Sequence, residues 1–156
     1  MTIDQARFRE TLSYLLDETF EQVRGIYLDK GTSLFETLAT ISAEEASIPV
    51  GGKCGTLAAQ VEHVRFYLDV FEKYMLGEQV GELDWDEIWR SVQGVSAEQW
   101  EESQVALRST YERVRATMLS IDDWDGQYAL GGAIGIIAHT AYHLGEIRQA
   151  LCTLRD

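Results

Sequence analysis

The sequence predicts an all-α protein, a single four-helix bundle spanning residues 1–156. Three observations predict it. Apolar residues recur every three or four positions over four long stretches, the spacing that gathers them on one face of a helix. The chain holds one proline, Pro49, so little interrupts those stretches. No segment shows the strict alternation of a half-buried strand. A chain of 156 residues can bury roughly 68–70% of its unfolded surface, so one core suffices without disulfide staples.

The first helix is expected over 4–29, where Phe8, Leu12, Leu15, Leu16, Phe20, Val23, Ile26 and Tyr27 form one stripe, with Asp4 as its cap and Gly31 as its stop. A short helical segment follows over 32–41. The SAEE run at 42–45 is a capping-box pattern that opens one further turn before Pro49, and 50–53 reads as a loop. The second long helix covers 56–76 on the stripe Leu57, Val61, Val64, Leu68, Phe71 and Met75, with His63 on its flank beside Ala59, Phe66, Tyr67 and Val70. Periodicity breaks over 77–95, an acidic connection carrying Trp85 and Trp89. A connection of that length with its own aromatics packs over a core edge or roofs a pocket. The SAEQ run at 96–99 caps a third long helix, in which Trp100, Gln104, Leu107, Tyr111, Val114, Met118 and Ile121 keep a bundle rhythm. DDWDG at 122–126 is the turn into the last helix, 130–154.

Charge and cysteine usage narrow the function classes. The formal net charge is −13, from 26 acids against 13 bases. Such a surface repels phosphate backbones and anionic lipid, so neither nucleic acid nor membrane is expected as a partner. Cys54 and Cys152 lack CxxC spacing and the density of a disulfide scaffold. Both read as small buried hydrophobes, although the N-terminal dipole of the second helix could lower the Cys54 thiol pKa. No basic leader precedes an apolar run, and the longest apolar run, 129–138, is too short to span a bilayer. A cytoplasmic location follows as the expectation.

The chemistry concentrates on the last helix. Its inward stripe reads Ile136, His139 or Thr140, His143, Ile147, Ala150 and Leu154. His139 and His143 stand four apart, so they share one helical face with Cβ atoms roughly 5–6 Å apart. Imidazoles on an apolar stripe require partners for their nitrogens, either a metal ion or hydrogen-bonding neighbours. His63 is the third and last histidine, also on an interior flank. Three imidazoles suit Zn, Ni, Fe or Cu and leave a coordination position open for water or substrate. Glu146, three residues beyond His143, shares the face. It is read as a fourth ligand, a general base, an acceptor behind an imidazole N–H, or an ion-pair partner of an arginine on a neighbouring helix. Gly131, Gly132, Gly135 and Gly145 each cost a helix roughly 1 kcal/mol relative to alanine, which predicts close approach by another backbone. Tyr142 projects to a different side and reads as structural.

With these residues in view, the sequence resembles the DinB/YfiT-like superfamily. The resemblance rests on His63, the LGGAIG lead-in at 130–135 and HTAYHLGEIR at 139–148, and it runs along essentially the whole chain. It implies a four-helix bundle, often a homodimer, with a divalent metal held by His63, His139 and His143. It further implies metal-assisted chemistry on a small molecule, either hydrolysis or transfer to a low-molecular-weight thiol, with Zn or Ni as the expected ion. Glu146 departs from the glutamine that the family often carries there. The competing expectation is a non-catalytic, stress-response binding or interaction bundle whose histidines form a buried polar cluster.

Overall fold

The computed structural model describes residues 4–51, 54–124 and 128–155. Every regular element among them is helical, and none is a strand. In chain order these are α1 (Gln5–Leu16), continuing into a π-helical turn (Asp17–Glu21), α2 (Leu34–Leu38), α3 (Ala43–Ala46), α4 (Leu57–Met75), α5 (Glu87–Ser91), α6 (Ala97–Ser120) and α7 (Ala129–Leu154). No helix among the described residues is long and apolar enough to cross a membrane.

The predicted caps form: the Asp4 side chain accepts from the Ala6 N–H, Ser42 from Glu45 and Ser96 from Gln99, the last two within full capping boxes. Thr56, not singled out as a cap, accepts from the Ala59 N–H at the start of α4. The predicted loop at 50–53 and turn at 122–126 lie partly outside the described residues.

The first helix is shorter than its hydrophobic stripe suggests. It ends at Glu21, and Gln22 is already extended (φ −153°, ψ 132°). The cause is Glu18. Its fully buried carboxylate accepts backbone N–H bonds from Arg24 (3.2 Å), Ile26 (2.8 Å), Tyr27 (2.6 Å) and Leu28 (2.7 Å), which holds the following chain in a loop instead of a continued helix. Burial raises the Glu18 pKa, but these four donors together outweigh it, and the carboxyl stays below its ordinary range. Gly25, at φ +82°, makes the turn, so Gly31 is not the stop. Ile26 and Tyr27, expected on the buried stripe, are therefore exposed.

The core lies where α4 packs against both α6 and α7, with α1 closing against α6 and α7. Leu12, Leu16, Leu57, Val61, Val64, Leu68, Leu107, Val114, Ile136 and Ile147 are almost fully buried. Phe20 stacks on Tyr111 with centroids 4.4 Å apart, tying the π-helical turn to α6. The pairing of α4 with α7 is the contact that matters for chemistry, because it carries all three histidines.

Candidate metal centre

Two glycines set how closely α7 lies on α4. A Cβ at Gly132 would come within 2.5 Å of Met75 Cγ, and one at Gly135 within 3.2 Å of Phe71 Cε1. These two are the close approaches that the glycine-rich lead-in predicted, although the neighbours are mainly side chains. Gly131 and Gly145 meet nothing within 4 Å. One turn beyond Gly135, the close packing brings the histidines together.

His63 Nε2 lies 3.2 Å from His139 Nε2, and His143 Nε2 lies 3.2 Å from the same atom. One ligand atom from each residue falls within 4.8 Å of the other two. His63 and His143 are buried and His139 is half-buried. The three histidines therefore meet, and they are close enough to hold one metal ion.

The environment of each ring decides what that convergence can do. His143 Nδ1 faces two acceptors, Gln60 Oε1 at 2.7 Å and Glu146 Oε2 at 2.9 Å. Its proton therefore sits on Nδ1, and its Nε2 lone pair points at His139. His63 Nδ1 and His139 Nδ1 are buried with no hydrogen-bond partner among the described residues. Without a cation, three nitrogens share at most a few protons at one point: His139 can donate one N–H, and at least one close N···N contact is left with poor geometry or facing lone pairs. A tetrahedral cation with ligands at 2.0–2.1 Å requires N···N separations of about 3.3–3.4 Å. Two of the three edges, both to His139 at 3.2 Å, fit that separation, and the third lies within 4.8 Å. Three imidazole donors suit a transition-metal ion. One feature is thinner than in most histidine metal sites: among the described residues only His143 has an acceptor for its outer N–H.

Burial favours the neutral, ligating form of each ring. It pushes the His139 pKa down to about 3 and that of His63 to about 4, with the neighbouring His143 adding to both shifts. Burial also lowers His143, and Glu146 partly offsets it.

Aromatic rings enclose the cluster. Tyr67 stacks face to face on His139, with centroids 3.5 Å apart and planes 6° apart. Trp89 on α5 lies 4.8 Å from His63, and Trp85, just before α5, lies 6.3 Å away. The connection over 77–95 thus lies against His63, so its tryptophans pack and border the site at once. Gly55 makes room for this, since a Cβ there would sit 2.6 Å from Trp89 Cε3. On the other side of His143, beyond Gln60 and Glu146, opens a cleft of about 460 Å³ that Cys54 and Tyr142 also line.

Several expectations change here. Glu146 bonds the outer nitrogen of His143 and no arginine among the described residues, so the ion-pair reading falls and the orienting acceptor stands. Cys54 and Cys152 are exposed free thiols, because one precedes α4 and the other lies on the outer face of the last turn of α7. Tyr142 is 63% exposed and bonds Glu146, so it belongs to the cleft and not to the core. Tyr67 was expected on the flank of His63 but not as its neighbour in the site, and Gln60 was not singled out, although their spacing from His63 (three before, four after) puts both on its helical face. No protein-family model matches the chain, and no curated protein or solved structure matches it significantly.

Proposed function

We propose that this chain is a metal-dependent enzyme acting on a small molecule, built as a four-helix bundle of the DinB-like type. The observation that carries the reading is the convergence of three neutral imidazole Nε2 atoms with 3.2 Å contacts in a largely buried setting. His63, His139 and His143 are the ligands, and Zn or Ni is the ion their chemistry suits. When bound, such an ion supplies Lewis acidity and favours the deprotonated form of water or of a thiol. The chain's own residues do the rest. Glu146 and Gln60 fix the ring of His143 through its Nδ1–H, Tyr67 holds the plane of His139, and Trp85 and Trp89 limit water beside His63. Glu146 also lines the cleft of about 460 Å³, and in this reading its carboxylate takes a proton from a bound molecule. Hydrolysis and transfer to a low-molecular-weight thiol both use this arrangement. Metal-loaded protein assayed against ester, amide and thiol-plus-electrophile substrates should turn over one class, and His139→Ala should abolish it. Absence of turnover across all of them in fully loaded protein would favour the non-catalytic bundle.

The assembly proposed with this function is a homodimer through α7. Leu130, Ile134 and Tyr142 are 41%, 53% and 63% exposed on one side of that helix. Residues 129–145 carry no acid, lysine or arginine, on a chain of net charge −13. Gly131, Ala138 and Gly145 recur every seven residues on the same exposed side. An antiparallel pair centred on Ala138 sets Gly131 opposite Gly145 and Ile134 opposite Tyr142, so the face complements itself. Sedimentation should give twice the 17.6 kDa chain mass, falling to the chain mass in Ala138→Glu. A monomeric wild type at 100 μM refutes the assembly.

A further inference from the structure

A second cleft, of about 400 Å³, opens where the end of α7 meets α2. It shares no lining residue with the histidine site. Thr37, Thr40, Arg148, Leu151 and Arg155 line it, and no carboxylate among the described residues does. That is unusual in a chain with 26 acids and 13 bases. The two guanidinium groups are not equivalent. Arg155 is already committed: its Nε donates to Glu45 Oε1 at 2.8 Å and its Nη2 to the Thr40 carbonyl at 2.6 Å. Arg148 is exposed and has no ion pair or hydrogen bond among the described residues.

Thr37 supplies an independent observation. It is 3% exposed, and its Oγ1 has no hydrogen-bond partner among the described residues. Thr11 and Thr19 bond the carbonyl four residues back. Thr37 does not, a condition it shares among the described residues with the buried hydroxyl of Thr140, which does not line this cleft. An unpaired buried hydroxyl costs stability, and replacing it by an apolar group of the same shape is neutral or favourable. Its presence on the wall of a cleft with no carboxylate among its described lining residues has a ready explanation if a ligand accepts from it.

We propose that this cleft binds the carboxylate of a small organic acid, with the Arg148 guanidinium as its charge partner and the Thr37 hydroxyl as a further donor. Charge selects the class. Among the described residues Glu45 offsets Arg155 and Arg148 has no ion pair, which leaves one positive charge, matched by a monocarboxylate and exceeded by a phosphate dianion. The planar fork of arginine pairs with both oxygens of a carboxylate. Leu151 offers an apolar wall to a short hydrocarbon body, and the volume lies within the roughly 300–1,000 Å³ range of small-molecule pockets.

The test is a titration followed by amide chemical shifts, at constant ionic strength, with butyrate as the probe and inorganic phosphate and chloride as the comparison arms. Butyrate should give saturable shifts confined to residues 37–40 and 148–155, with at least tenfold higher affinity than phosphate or chloride. Arg148→Gln should weaken butyrate at least tenfold. Thr37→Val should weaken it severalfold while its melting temperature stays level or rises. The proposal is overturned if butyrate gives no saturable shifts there, if phosphate or chloride binds as tightly, or if Arg148→Gln leaves the affinity unchanged. It is equally overturned if Thr37→Val lowers the melting temperature, because the hydroxyl would then serve the fold.

Discussion

Acid should destabilise the metal-free protein through its histidines, well above the range where carboxylates titrate. In the unfolded chain His63 and His139 take up protons as pH falls through 6.5, their ordinary value. In the folded chain burial holds them neutral until about 4 and about 3. Between those limits the unfolded state binds more protons, so stability falls as pH falls. At pH 5 the solution is about 1.5 units below the unfolded value, and each unit is worth about 1.4 kcal/mol, so each ring contributes a loss of about 2 kcal/mol. The pair gives about 4 kcal/mol, against a total stability of roughly 5–15 kcal/mol for a typical domain. His143 shifts the same way, with Glu146 moderating it. Urea unfolding of chelator-treated protein at pH 7.5, 6 and 5 measures this directly. Replacing His139 by Phe should remove about half of the slope. A stability that is flat or rises between pH 7.5 and 5 refutes the reasoning, because the rings would then be stabilised in their charged form.

Three further outcomes follow from the same geometry. Glu146→Gln removes the carboxylate behind His143 Nδ1 and should weaken metal binding by about 10–100-fold, read by competition against a chromophoric chelator, with little change in melting temperature. Gly55→Ala places a methyl against Trp89 and must displace the indole from His63, so tryptophan emission should shift to the red relative to wild type. Glu18→Ala strips the acceptor from the N–H groups of Arg24, Ile26, Tyr27 and Leu28 and should cost about 3 kcal/mol in urea unfolding, with amide exchange fastest at 24–28.

The helices were legible because their signals are local. Stripes at three- and four-residue spacing, together with the Ser96 capping box at the start of α6, located α4, α6 and α7 to within a residue or two. The first helix failed at its end for a non-local reason. The stripe continues through Val23, Ile26 and Tyr27, but the Glu18 carboxylate outcompetes the helix for the backbone donors of Arg24, Ile26, Tyr27 and Leu28, and nothing in the spacing of apolar residues reports that. The histidine site was half legible. HxxxH fixes His139 and His143 on one face by periodicity alone, whereas their distance to His63 depends on how closely α7 can lie on α4. Gly132 and Gly135 hinted at that approach, and Gly131 and Gly145 carried the same signal without the contact. The cysteines misled because average burial preference says nothing about a residue at a helix entry or on its outer face.

The central claim is that three imidazoles make one metal site, and stoichiometric binding tests it most directly. Chelator-treated, folded protein should bind one equivalent of Zn or Ni per chain at pH 7.5, by calorimetry and by metal analysis after gel filtration. His63→Ala, still folded by circular dichroism, should lose that equivalent. Folded wild-type protein that retains no metal, or a His63→Ala variant that retains a full equivalent with unchanged affinity, would contradict the account.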